Sequence, residues 1–204
     1  MIDRDGNIVS WTSTIEQIAG SAIAVPDYGF LLNNELTDFD PVAPSTLPDP
    51  NLPAGGKRPR SSMAPTIVLR DNRPFFALGS PGGSTIITTV LQILLNRLDF
   101  GMSLPDAIAA PRASQRNSPT VAEAAFLDQY GNALSQRFGQ TFGTPMSEIG
   151  AATGIEIFPD GELQAAAEPV RRGGGAAAVV CPAGRGQPQS PSAACAPVPA
   201  GTRP

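Results

Sequence analysis

Two serines and two glycines carry the first chemical suggestion in this chain. Ser61 and Ser62 stand in KRPRSSMAPT, just before an apolar stretch, and Gly82 and Gly83 stand in GSPGGS, at the head of a long apolar run. Adjacent hydroxyls can donate to a carboxylate, while a glycine turn that opens a helix leaves backbone N–H groups free near the positive end of the dipole. Set at the two ends of one strand-like segment, they suit a site that grips a carboxylate and stabilises an oxyanion. Glu16, Glu35 and Asp38 add negative charge, and Ser10, Thr12 and Thr14 share one face of the alternating stretch Asn7 to Ile15. Each has an ordinary reading as well: a tight strand-to-helix turn, a turn cap before Pro65, surface carboxylates, and the wet face of a sheet. What favours chemistry is their company, since each polar cluster ends an apolar stretch.

Composition narrows the chemistry. There is no histidine, which excludes a self-contained Ser-His-Asp or Cys-His relay and any His-ligated metal. Cys181 and Cys195 lack the spacing of a metal or redox motif. GSPGGS lacks the Lys-Ser/Thr ending of a phosphate loop, and no GxGxxG occurs. A net charge of -4 argues against nucleic acid as a partner. No apolar run has membrane-spanning length and no leader-like segment is present. No metal or cofactor is expected.

Elements must hold these groups in place. The alternation over Asn7 to Ile15 predicts a strand, followed by Gly29 to Leu32, the polar turn Asn33-Asn34-Glu35 and a Pro-rich loop from Asp40 to Gly56. Thr66 to Leu69 and Pro74 to Leu78 predict a hairpin turning on Asp71-Asn72. From Thr85 the apolar residues recur at helical intervals to Leu98, with Ser84 as the expected N-cap and Gly101 as the stop. Ser103 opens a shorter helix to Ala110, Asp128 to Phe138 predicts another, and Ala152 to Phe158 with Leu163 to Ala167 predicts a last hairpin. Strands, helices, then strands describe an α+β layered domain. It runs over residues 1–180, and the Pro-, Ala- and Gly-rich remainder, 181–204, reads as a disordered tail.

At this point the residues resemble a known family. DGNIVSWTSTIE, GFLLNNELTDF, GGKRPRSSMAPTIVL, GSPGGSTIITTVLQ and DAIAAPR, with IEIFPDGELQAAAEPVRRGG further on, are similar, in order and spacing, to the small subunit of γ-glutamyltransferases, also called glutathione hydrolases. The resemblance implies the N-terminal-nucleophile hydrolase fold, an αββα sandwich of which this chain holds the small-subunit half. It also implies a histidine-free mechanism, in which the first threonine of the small subunit attacks a γ-glutamyl amide and its own α-amine is the base. Substrates of that kind, glutathione among them, and a large subunit cut from the same precursor are the implied partners.

Carried over by position, Thr14 matches the threonine that supports the nucleophile. Glu16, Glu35 and Asp38 match the positions that hold the substrate α-ammonium, Ser61 and Ser62 those that bind its α-carboxylate, and Gly82 and Gly83 those of the oxyanion hole. The chain departs from the pattern at its start, because the nucleophilic threonine belongs ahead of Met1. The isolated chain is therefore expected to be inactive, as a piece of a longer or split enzyme. Two other readings remain: a non-catalytic amino-acid-binding module, and a structural subunit that needs a separate large chain. Relatives of this family are usually periplasmic or secreted, with the export signal in the part not represented here.

Overall fold

The computed structural model describes residues 1–3, 5–42, 48–117 and 119–177. The expected tail at 181–204, with Cys181 and Cys195, lies outside them.

The hairpin predicted around Asp71-Asn72 forms. Strand β1 (Thr66–Arg70) pairs antiparallel with β2 (Arg73–Gly79), and Asp71 and Asn72 both take the positive φ that a tight two-residue turn requires, 51° and 60°. Strand β2 then pairs with β5 (Thr153–Ile157), and β5 with β6 (Leu163–Ala167), giving one antiparallel sheet in the order β1-β2-β5-β6. A second, two-stranded sheet joins β3 (Ala113–Ser114) to β4 (Val121–Ala122). Residues this short give no periodic signal, which is why the sequence pattern misses them.

Helix α1 (Ile86–Leu98) turns Ile86, Val90 and Ile93 inward, where they meet Phe76 and Leu78 of β2 and Leu104 and Ile108 of α2 (Leu104–Ala109). Ser103 caps α2 as expected, accepting from the Asp106 N–H at 3.3 Å. Ser84 does not cap α1. It lies inside a 3-10 turn, Gly83–Thr85, and Thr85 occupies the boundary with its hydroxyl donated to the Gly82 carbonyl at 2.9 Å. The later helix is longer than the pattern suggests: α3 (Ala124–Phe126) continues through a π-turn at Leu127–Gly131 into α4 (Asn132–Phe138).

The stretch Asn7 to Ile15 joins neither sheet among the described residues. An isolated bridge between Ile2 and Ile8, mutual backbone bonds between Met1 and Val9, and bonds between Asp3 and Asn7 hold its start. Alternation is a statement about faces, and a strand also needs a partner edge. The stretch lies beside β2 instead: the Ser10 hydroxyl donates to the Leu78 carbonyl at 3.1 Å. Trp11 is left 78% exposed. Beyond it a hairpin arm turns back on itself through Val25 and Phe30, carrying exposed Ile23, Tyr28, Phe30 and Leu32.

Candidate active site

The acidic groups gather around one short 3-10 turn, Glu35–Asp38. Asn33 Oδ1 accepts from the Glu35 N–H at 3.1 Å, and Asn34 holds the neighbouring chain by accepting from the Gln17 N–H at 3.1 Å. The Asn34 amide also donates to Glu16, whose Oε2 accepts from the Thr37 hydroxyl at 3.0 Å. Glu16 is thus committed within the protein. Glu35 and Asp38 receive no side-chain hydrogen bond among the described residues. Partial burial raises the Glu35 carboxyl above its ordinary value, and the negative charges of Asp38 and Glu16 raise it further. The negative charge gathered beside Glu35 is of the kind that a nearby cation offsets.

The serine pair divides its work. Ser61 Oγ accepts from the Met63 N–H at 3.2 Å, leaving its own proton without an acceptor among the described residues. The Ser62 hydroxyl donates to the Gly83 carbonyl at 2.7 Å. The two ends of the opening segment therefore touch. Thr14 behaves locally, accepting from the Glu16 N–H at 2.9 Å and turning the chain toward the acidic cluster. No described contact links it to the glycine turn.

That turn is built from behind. Gly82 has φ 145° and Gly83 φ 53°, and neither N–H has an acceptor among the described residues. Ser80 Oγ, buried, accepts from the Ala151 N–H at 3.1 Å and ties the turn to the segment Ile149 to Ala151. A buried charge cluster fixes that segment in turn. Arg112 donates to the Ile149 carbonyl at 2.8 Å, and Glu123 accepts from the Ile149 N–H at 2.9 Å. Glu123 also accepts two bonds from Arg171, each 2.5 Å, while Glu168 accepts from Arg112 at 2.9 Å and from Arg171 at 2.7 Å. The motif APR and the late EPVRR thus meet in space, although nothing in their local pattern says so. Ser80, Asn34 and this cluster are the supporting groups that sequence reasoning overlooks.

An open cleft of about 550 Å³ runs from Ser10 to Ser13 past Gly79, Ser80 and Pro81 to Ala151 and β5. It stops at Pro81, and its lining includes neither Gly82 and Gly83 nor Ser61 or the carboxylates. Among the described residues no group of three or more His, Cys, Asp or Glu is arranged to hold a metal. No helix among the described residues is long and apolar enough to cross a membrane.

With this geometry in view, kinship can be stated. The sequence model of the gamma-glutamyltranspeptidase family matches residues 1–178. A glutathione hydrolase proenzyme of Bacillus subtilis is 40% identical over 172 residues, 84% of this chain and 29% of that protein. An acylase ACY 1 proenzyme of Pseudomonas is 36% identical over 81% of this chain and 29% of its own length. Among solved structures, a gamma-glutamyltranspeptidase mutant from Pseudomonas nitroreducens superposes with a TM-score of 0.76 at 34% identity, covering 89% of this chain and 97% of that one. The fold is that of part of an N-terminal-nucleophile hydrolase. The chain belongs to the gamma-glutamyltranspeptidase family, and it spans under a third of the length of these proenzyme relatives.

Proposed function

We propose that this chain is the small-subunit portion of a γ-glutamyltransferase, carrying the amino-acid grip and the oxyanion turn of an active site completed by residues beyond these 204. The observation that carries the proposal is the set of unengaged groups: the carboxylates of Glu35 and Asp38, the Ser61 proton and the N–H groups of Gly82 and Gly83. Glu35 and Asp38 pair with the α-ammonium of a glutamyl donor, and Ser61, with Ser62 beside it, takes the α-carboxylate. A threonine hydroxyl, supplied by a longer polypeptide or a second chain, attacks the γ-carbonyl; its proton passes through that threonine's own α-amine to the amide nitrogen, which leaves as the free amine when the C–N bond breaks. The glycine N–H groups stabilise the oxyanion of the tetrahedral intermediate, and water or an amino-acid acceptor releases the acyl group. Kinship supports the γ-glutamyl assignment, since the gamma-glutamyltranspeptidase model matches residues 1–178 and a glutathione hydrolase is 40% identical, while an acylase proenzyme at 36% makes the grip the feature to test.

Two outcomes test this. The 204-residue chain alone releases no chromophore from a γ-glutamyl anilide, and turnover above background would mean that it holds a nucleophile of its own. In an enzyme completed with the missing portion, Asp38→Ala raises KM with little change in kcat, as loss of ground-state binding requires. A variant that lowers kcat at unchanged KM would move Asp38 out of the binding site.

A further inference from the structure

Asn51 is buried although it lies in the turn-rich stretch between Asp40 and Gly56. Its side-chain amide is fully used. Nδ2 donates to the Asp38 carbonyl at 2.8 Å and to Asp40 Oδ2 at 3.2 Å, while Oδ1 accepts from the Arg60 N–H at 2.9 Å. The main chain of Asn51 is fastened as well, its carbonyl accepting from the Asp40 N–H at 3.2 Å and its N–H donating to Asp49 Oδ1 at 2.8 Å. Asp38 is a member of the acidic grip, and Arg60 immediately precedes Ser61. One buried amide therefore joins the backbones of the two grips. Only a group with a donor and an acceptor at this reach can bond a carbonyl on one side and an N–H on the other. The Asp40–Arg60 ion pair at 2.8 Å runs parallel to it but is exposed on the arginine side, where such pairs hold weakly.

We propose that Asn51 is a positioning residue: it sets the separation of the acidic grip from the hydroxyl grip, and so selects ligands that carry an ammonium and a carboxylate on the same carbon. The proposal rests on the amino-acid-binding reading above. It makes a distinction that stability alone does not. A ligand using both grips feels their separation, whereas a ligand using one does not.

The test uses the full chain and three probes, followed by NMR shift titration. L-Glutamate spans both grips, glutarate lacks the ammonium, and 4-aminobutyrate lacks the α-carboxylate. Asn51→Ala removes all three side-chain bonds. Asn51→Asp keeps the acceptor for Arg60 but loses the two bonds that Nδ2 donates, and decides the matter alone if the alanine variant does not fold. Each variant is expected to bind L-glutamate at least about tenfold more weakly, because the tie to the Asp38 carbonyl is lost in both. The shifts that the other two probes induce at a fixed concentration stay as in the parent chain. Unchanged L-glutamate affinity, or equal weakening of all three probes, overturns Asn51's role and leaves the amino-acid grip standing. Failure of the parent to bind L-glutamate, both as this chain and when completed with the missing portion, overturns both.

Discussion

Gly82 and Gly83 are neighbours in one turn, yet a methyl group meets different fates at the two positions. At Gly82 a Cβ would lie 2.9 Å from Thr85 Oγ1, on a backbone with φ 145° that side chains rarely adopt. At Gly83 the same atom meets nothing within 4 Å, and only the positive φ of 53° counts against it. Gly82→Ala is expected to cost about 1–3 kcal/mol from backbone strain, with the contact added, and Gly83→Ala about 1 kcal/mol. The denaturation midpoints of the two variants, at unchanged m-value, check the order. A reversed order would show that the turn rearranges rather than strains. The residue types at this turn are plain in the sequence. Which glycine is indispensable is not, because that depends on a threonine three positions on and on a backbone 68 residues away, where Gly150 Cα lies 3.4 Å from the same added atom.

Elements formed by near neighbours were legible before any coordinates: the Asp71-Asn72 hairpin, the α1 periodicity, the Ser103 cap, the β5–β6 turn. Their signals are local. What the sequence could not display is pairing between distant segments, and the charge cluster is the clearest case. Arg112, Glu123 and the pair Glu168 and Arg171 come from three separate stretches, and all four residues are buried. Removing one partner strands the others, so Glu123→Gln is expected to destabilise the chain by about 3–5 kcal/mol at neutral pH. Burial opposes ionisation of Glu123, but bonds from Arg171 and from the N–H groups of Ile149 and Arg112 outweigh it, holding the carboxyl below its ordinary 4.5. Its stabilising effect is complete above that value and is lost as pH falls through the depressed one. Unfolding free energies measured across the acid range should therefore fall more steeply for the parent chain than for Glu123→Gln. Equal slopes would remove Glu123 as a source of acid sensitivity. The stretch Asn7 to Ile15 gives the opposite lesson, since its alternation is real and its ladder is missing among the described residues.

Over the described residues, apolar surface is left uncovered in several places. Ile87, Leu91, Leu95 and Leu98 line the outer side of α1, Ile67 and Leu69 lie exposed on β1, and Ile18, Tyr28 and Leu36 project from the N-terminal arm. A monomer rarely leaves this much apolar surface to solvent. The chain alone is expected to self-associate as its concentration rises, and to become monodisperse when the large-subunit portion that the proposed function calls for is co-expressed with it. Sedimentation velocity of the two preparations distinguishes these states. A chain that stays monomeric at high concentration would mean that these residues need no cover.

The pairing of β2 with β5 has a bearing on how the chain comes to be folded. About 75 residues separate the partners in register, Gly79 and Thr153 among them. On the ribosome, β1, β2 and the glycine turn emerge early and wait without a neighbour on their inner edge. Ala151 then reaches Ser80, and Arg171 closes on Glu123 only when nearly all the described chain has been made. The glycine turn is thus made well before the segments that brace it. A chain released short of Arg171 would carry Asp38, Ser61, Ser62, Gly82 and Gly83, and lack the frame that gives the turn its shape.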